Sequence, residues 1–93
     1  MSNKFKIFVT DIFKKQVNNL DKHQAEQLYS KIKNIIYPQL QQEPHYGPNI
    51  KKLKGYDPET WRYRIGNYRV FFEIEHNDNI VVILSIKLQK DVY

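Results

Sequence analysis

Three arginines lie close together around a Gly-Asn pair, and their side chains are the strongest candidates for chemistry in this chain. They are Arg62, Arg64 and Arg69, and the pair between them is Gly66-Asn67. Glycine and asparagine accept the positive φ of a two-residue turn, and β-rich residues flank the pair on both sides. Because side chains alternate along a strand, a turn at this position places all three guanidiniums on one face of a β-hairpin.

Like charges that face each other across two strands destabilise a sheet by a few tenths to about 1 kcal/mol, so folding alone gives no reason to gather them. A bound phosphate would give one, because a guanidinium stays charged and grips two phosphate oxygens at once. The alternative is a solvated outer face on which the arginine stems cover aromatic rings. The opposite face of the hairpin is expected to point toward the core and carries Trp61, Tyr63, Ile65, Tyr68, Val70 and Phe72.

RNA is a phosphate-containing substrate that carries its own nucleophile, the 2′-hydroxyl. A protein that cleaves it must hold the scissile phosphate, neutralise the charge of the pentavalent intermediate and move two protons. Arginines suit the first two tasks but are poor proton shuttles, because a useful catalytic pKa lies near the working pH. Lys87, Lys90 or Tyr93 would need a lowered pKa to act as the base. RNA cleavage is therefore possible here if it relies mainly on positioning.

The composition limits the other classes of function. Ninety-three residues, 41% of them hydrophobic, predict one domain over residues 1–93 with a single modest core. The absence of cysteine excludes thiol chemistry and fits a reducing compartment. No apolar run reaches the roughly 18–20 residues of a membrane span, and the N-terminus lacks a secretion signal. We therefore expect a soluble, cytoplasmic protein without membrane contact.

The charge favours a polyanionic partner, either nucleic acid or an acidic protein. The formal net charge is +5, and residues 51–73 hold six basic against three acidic residues. The histidines, His23, His45 and His76, are scattered over a helix start, a loop and a turn. No pair has the spacing of a zinc-binding helix, and no carboxylate cluster suggests Mg²⁺, so we predict neither a metal nor a cofactor.

The first half of the chain is predicted to be a short strand and two helices. The strand covers residues 4–9, Thr10 or Asp11 caps the first helix, and the second begins at Asp21 and should stop or fray at Pro38. The first helix is predicted to bury Ile12, Phe13, Val17 and Leu20. The second is predicted to bury Ala25, Leu28, Tyr29, Ile32, Ile35 and Ile36.

The second half is predicted to be mainly β, after a loop over residues 39–49. A strand is predicted to begin within residues 50–55 with Leu53 as its inward anchor, and the hairpin follows it. Residues 80–86 are almost continuously apolar, which is typical of a central strand covered on both faces. We therefore predict an α+β fold in which two N-terminal helices pack on one face of a small, mainly antiparallel, twisted β-sheet.

Three segments resemble the RelE/ParE superfamily of type II toxin–antitoxin toxins, most closely its RelE branch. They are Leu53-Lys54-Gly55, the run 61–70 with its Arg-x-Arg-x-Gly-x-x-Arg core, and the closing Lys90-Asp91-Val92-Tyr93. The resemblance extends along essentially the whole chain and implies the RelE-like fold and a toxin neutralised by an acidic antitoxin. It also implies metal-independent cleavage of messenger RNA in the ribosomal A site, by 2′-hydroxyl attack that leaves a 2′,3′-cyclic phosphate.

The resemblance assigns roles to individual residues. Arg62 and Arg64 match the basic pair on the first hairpin strand, and Arg69 matches the arginine that contacts the scissile phosphate. Tyr93 matches the C-terminal tyrosine that stacks on a base or assists proton transfer, and it completes the set of candidate catalytic residues. The candidates for RNA or phosphate binding are Lys52, Lys54, Lys87 and Lys90.

The tail departs from the pattern of the superfamily. Relatives commonly end in His-Arg-Lys-Asp-Val-Tyr, whereas this chain has Leu88 and Gln89 in place of His-Arg. A proton shuttle and a cation are missing, so we expect slower turnover. The leading hypothesis is a ribosome-dependent mRNA endonuclease that inhibits translation. Two alternatives are a ParE-like toxin that binds DNA gyrase and cleaves nothing, and a weakened RelE relative that mainly binds its antitoxin.

Overall fold

Capping side chains and apolar periodicity set the helices, which lie between the first and second strands. The computed structural model describes residues 4–88 of the chain. Its strands are β1 (Lys6–Val9), β2 (Ile50–Lys52), β3 (Trp61–Ile65), β4 (Tyr68–Glu75) and β5 (Ile80–Leu88). Its helices are α1 (Asp11–Asn18), α2 (Lys22–Lys31) and α3 (Tyr37–Gln42), and a π-helical segment, Ile32–Ile36, joins α2 to α3.

The five strands form one mixed sheet in the order β1-β5-β4-β3-β2. β1 runs parallel to β5, and the other neighbours are antiparallel, so the predicted α+β class is confirmed. The order of a short strand before the helices, predicted from the local pattern, is confirmed. The description of the helices as N-terminal was wrong, because they follow β1. The reason is that β1 pairs with the last strand and forms an edge of the sheet, while the chain returns through the helices.

Both predicted helix starts are confirmed by side-chain caps. Thr10 accepts a hydrogen bond from the backbone N–H of Phe13 at 3.1 Å, and Asp21 accepts one from that of Gln24 at 2.9 Å. Each cap satisfies a backbone donor that the first turn of a helix leaves without an intrahelical partner. Among the described residues, no helix is long and apolar enough to cross a membrane.

Pro38 does not end the helix, contrary to the prediction. A proline inside a helix lacks a backbone donor, and its ring clashes with the carbonyl four residues earlier. The chain avoids this conflict with a π-helical turn, in which the N–H of Tyr37 donates to the carbonyl of Ile32 five residues back. Pro38 then lies in the first turn of α3, where a missing N–H costs little, and the helix continues to Gln42.

The buried stripe of the long helix is narrower than predicted. It consists of Leu28, Ile32, Ile36 and Leu40, which are at most 2% exposed. A spacing of four exceeds the 3.6-residue period of an α-helix, and the wider π turn compensates for the resulting rotation. Tyr29 and Ile35, which we predicted to be buried, are 53% and 49% exposed because they flank this stripe. In α1, Phe13 and Val17 are buried, but Ile12 is 62% exposed.

The sheet contributes the other half of the core. Its buried apolar side chains are Tyr63, Ile65, Val70, Phe72, Val81, Ile83 and Ile86. The expectation that β5 is covered on both faces is wrong, because Val82 and Leu84 on its other face are only half-buried. At the edge of the sheet, Ile50 packs against the core, whereas Leu53 lies beyond the end of β2 and outside the core cluster.

A β-bulge in β5 decides which of its side chains face the core. Phe71 pairs with Ser85 but Phe72 pairs with Ile83, so Leu84 is an extra residue. The hydroxyl of Thr10 donates to the carbonyl of Leu84 at 2.6 Å, which ties the bulge to the start of α1. Because of the bulge, Ile83 and Ile86 both point toward the helices, and the residue after Ile86 points away from them.

Candidate phosphate-binding face

The hairpin has the predicted register. Arg64 pairs with Arg69, and the neighbouring pair Tyr63 and Val70 is 3% and 0% exposed beneath the helices. Because side chains alternate along a strand, the arginines project from the opposite side of the sheet. Gly66 has φ 57°, a left-handed conformation that glycine adopts without steric cost. The turn that glycine permits therefore sets the register that brings the three arginines to one face.

We define the arginine face as the side of the sheet that presents Arg62, Arg64 and Arg69, away from the helices. Two lysines extend it. Lys87 of β5 pairs with Arg69, and Lys51 of β2 pairs with Arg62. Five cationic side chains thus lie on four adjacent strands, with Phe71 among them because it pairs with Arg62.

Lys51 was absent from the predicted site residues. The signal that would have found it is the alternation in β2, where Ile50 packs against the core and Lys51 must therefore point outward. Lys52 points to the other side of the sheet, because it pairs with Trp61, and its Nζ lies 2.8 Å from Glu59 Oε2. The structure therefore brings Lys51, but not Lys52, to the arginine face.

The remaining predicted residues divide into those that the structure describes and those that it does not. Lys87 belongs to the arginine face, as stated above. Lys54 is exposed in the turn that follows β2, beyond the paired part of the strand. The predictions for Lys90 and Tyr93 lie outside the described residues.

Arg62 lies in an environment that disfavours its positive charge. Burial lowers the pKa of its guanidinium below the ordinary value, and the positive charges of Arg69 and then Arg64 lower it further. Its Nε is buried and has no hydrogen-bond partner among residues 4–88. A buried donor without an acceptor is rare in native proteins and costs free energy. An anion on this face would offset the repulsion and supply an acceptor.

The face can bind and stabilise negative charge through its guanidinium and ammonium groups. Arg64 is exposed, whereas Arg62 and Arg69 are half-buried, so their forks are held against the sheet with restricted freedom. Within the described part of the chain, no three His, Asp or Glu side chains group together in a way that would hold a metal ion. The chemistry of this face is therefore that of fixed cations.

Comparison with known proteins gives a family and a fold. Residues 2–93 match the family model described as ParE toxin of type II toxin-antitoxin system, parDE. No curated protein matches the chain by sequence. Among solved structures, the archaeal RelE–RelB complex from Pyrococcus horikoshii has a TM-score of 0.71 at 21% identity, over 95% of this chain and 98% of that one.

Two further solved structures show the same fold. The isolated RelE toxin of Escherichia coli has a TM-score of 0.67 at 20% identity, over 96% of this chain and 90% of that one. The antitoxin–toxin complex RelB–RelE from Methanococcus jannaschii has a TM-score of 0.62 at 21% identity, over 92% and 94% of the two chains. At such identities the likeness shows the fold, which is that of RelE toxins, as the predicted resemblance implies. The family match extends over almost the whole sequence, and the chain therefore belongs to the ParE toxins of type II toxin–antitoxin systems, within the RelE/ParE superfamily.

Proposed function

We propose that this toxin is a ribosome-dependent mRNA endonuclease of the RelE type, and that its arginine face holds the scissile phosphate. The observation that carries the proposal is the direct pairing of Arg64 with Arg69, flanked by Arg62, Lys51 and Lys87. A sheet gains nothing in stability from such a cluster, whereas a phosphate in an RNA backbone gains several charge-assisted hydrogen bonds. A toxin that acts only by binding a protein needs no such cradle.

In the proposed reaction, the 2′-hydroxyl oxygen attacks the adjacent phosphorus. The bond from the 2′ oxygen to phosphorus forms, the bond from phosphorus to the 5′ oxygen breaks, and a 2′,3′-cyclic phosphate remains. Arg64 and Arg69 hold the non-bridging oxygens in the position where charge develops. Arg62, two residues before Arg64 on the same face of β3, stabilises the same charge. No metal ion is needed, because the guanidiniums supply the positive charge.

Two protons must move during this reaction. One leaves the 2′-hydroxyl, and one reaches the departing 5′ oxygen. Lys87 lies directly opposite Arg69 and is the proposed donor to the leaving oxygen. Tyr93, which the superfamily resemblance assigns to base stacking or proton transfer, is the proposed acceptor of the proton from the 2′-hydroxyl. Positions 88 and 89 carry leucine and glutamine where relatives commonly have histidine and arginine, so we propose that this toxin cleaves RNA more slowly than those relatives.

The proposed partner in the inactive state is an acidic antitoxin whose carboxylates cover the arginine face. The solved relatives from Pyrococcus horikoshii and Methanococcus jannaschii are complexes with RelB, which supports a protein partner for this chain. Complementary charge raises the rate of association and fixes its orientation. Substituting Arg62 and Arg64 with Glu should therefore slow association and reduce its dependence on salt. Unchanged kinetics in that variant would place the antitoxin elsewhere.

The second candidate function is inhibition of DNA gyrase without RNA cleavage. It is favoured by the family model, which is described as a ParE toxin, and by the departures at Leu88 and Gln89. Induced expression separates the two functions. New transcript ends within the codons of translated messages indicate the nuclease, whereas broken chromosomes with intact messages indicate gyrase inhibition.

Single-turnover cleavage on programmed ribosomes tests the site itself. Arg69→Ala should lower the rate by about 10²–10³-fold, the usual effect of removing a group that stabilises transition-state charge. The neighbours Lys51 and Lys52 form a matched pair, because only Lys51 lies on the arginine face. Lys51→Ala should therefore slow cleavage or weaken binding of the programmed ribosome, whereas Lys52→Ala should change neither. Equal losses in the two variants would refute the proposed face.

A further inference from the structure

An aromatic side chain, Phe71, lies in the middle of the arginine face. It pairs with Arg62 of β3 and with Ser85 of β5, and Arg69 precedes it by two residues on β4. Residues that pair across strands share a face of the sheet, and so do alternate residues of one strand. The ring of Phe71 is therefore bounded by two arginines and by the small side chain of Ser85.

The core gives no reason for an aromatic residue at this position. Val70 and Phe72, its neighbours in β4, are completely buried beneath the helices, so Phe71 points to the opposite side of the sheet. Phe71 belongs neither to the core cluster nor to the partly buried apolar residues that pack against it, which include Trp61 and Tyr68. Its side chain is half-buried, so part of the ring is open to a bound molecule.

The outward side chains of β4 have an order that matches the parts of a nucleotide. Arg69, Phe71 and Glu73 follow one another on the arginine face at intervals of about 6.5 Å, twice the rise per residue of a strand. A cation, an aromatic ring and an anion therefore lie in a row. A nucleotide has a phosphate at one end and a flat base at the other, so a phosphate held at Arg69 brings the base over Phe71. Glu73 repels a second phosphate and so sets the end of the row.

Stacking on an aromatic side chain of a sheet is a common way to bind an unpaired base. Sheets that bind single-stranded RNA combine aromatic side chains, on which the bases stack, with cations that contact the backbone. Every base has a π-face, so this contact tolerates different sequences. The arginine face combines both elements through Phe71 and its neighbouring guanidiniums. It therefore fits unpaired RNA better than a double helix, whose bases are already stacked.

We propose that Phe71 stacks on an unpaired base next to the scissile phosphate. The inference rests on the proposed RNA cleavage and adds a substrate-binding residue to it. The arginines hold the phosphate, and the stacked base fixes the rotation of the nucleotide about that phosphate. Holding both ends of the nucleotide aligns the attacking 2′-hydroxyl with the phosphorus, and a site that consists mainly of fixed cations depends on such positioning.

Single-turnover cleavage on programmed ribosomes, with the toxin below saturation, tests the stacking. Phe71→Leu keeps an apolar side chain but removes the π-face, and it should slow cleavage by about 5–150-fold, the usual effect of losing one stacked aromatic side chain. Phe71→Tyr keeps the ring and should cleave nearly as fast as the wild type. Phe8 is the matched control, because it is an exposed aromatic residue on the same side of the sheet but on β1, two strands away. Phe8→Leu should cleave at the wild-type rate.

A change in the substrate tests the same contact without altering the protein. Two messages carry an abasic ribose, with its 2′-hydroxyl retained, on the 5′ or on the 3′ side of the cleaved bond. The wild-type toxin should cleave one of these messages as slowly as Phe71→Leu cleaves the intact message. Phe71→Leu should cleave that abasic message no more slowly than the intact one, because the two changes remove the same contact.

The outcomes separate the stacking from the proposed cleavage. The stacking alone is overturned if Arg69→Ala slows cleavage while Phe71→Leu does not. It is also overturned if neither abasic message reproduces the loss in Phe71→Leu, because the ring then has only a structural role. A wild-type toxin that does not cleave, or Arg69→Ala that cleaves at the wild-type rate, overturns the proposed cleavage and the stacking with it. Circular dichroism checks that each variant is folded.

Discussion

Replacing Arg64 with glutamine should stabilise the free toxin, because it removes one member of a like-charge pair. Arg64 lies directly opposite Arg69, and its charge contributes to the lowered pKa of Arg62. Charged cross-strand pairs change stability by about 0.2–1 kcal/mol. Since Arg64 is exposed and screened by solvent, the lower half of this range is expected, about 0.2–0.6 kcal/mol. For a domain of this size, that corresponds to a melting temperature roughly 1–4 °C higher.

Thermal unfolding followed by circular dichroism at two salt concentrations measures the effect. The Debye length falls from about 10 Å at 0.1 M salt to about 3 Å at 1 M, so the gain should shrink at high salt. Lys33→Gln is the matched control, because it removes the same charge from an exposed position on the long helix. The reasoning is refuted if Arg64→Gln lowers the melting temperature. It is also refuted if Arg64→Gln and Lys33→Gln change the melting temperature equally at both salt concentrations.

Three further predictions concern the elements that position the arginine face. Ile36→Val, at a completely buried position, should lower the free energy of unfolding, measured with denaturant, by about 0.5–1.5 kcal/mol. Ile35→Val, at a half-exposed position, should lower it by less than about 0.5 kcal/mol. Thr10→Val should cost about 1–2 kcal/mol of unfolding free energy, because it removes the helix cap and the bond to Leu84; Thr10→Ser should retain most of it. Gly66→Ala should lower the unfolding free energy by about 1–2 kcal/mol through its positive φ, and Gly66→Asn should lower it less.

Local sequence was sufficient for the hairpin and for the helix starts. The Gly66-Asn67 turn and the alternation around it predicted that Arg64 would lie opposite Arg69, and the structure has that register. Asp21 was predicted as one helix cap, and Thr10 or Asp11 as the other, for the same kind of reason. In each case the deciding interaction lies within a few residues along the chain, so the residue types alone specify it.

Contacts between distant segments decided the rest of the arginine face. Strict alternation in β5 from Val81 would have pointed Lys87 toward the helices. The bulge at Leu84, held by a hydrogen bond from Thr10, turns it outward beside Arg69. A bulge depends on how two strands and a helix pack together, and no spacing within β5 reveals it.

The course of the long helix and the contact between His45 and His76 also could not be predicted from local sequence. Pro38 predicted a helix end, but burial of Ile36 and Leu40 against the sheet favours a π turn that keeps the helix intact. The Nε2 atoms of His45 and His76 lie 2.8 Å apart, although the two residues are 31 positions apart in the chain and no sequence motif connects them. They meet because the segment after α3 and the turn after β4 end at the same edge of the fold. Residue types determined what each side chain could do, and packing of distant segments determined which of them act together.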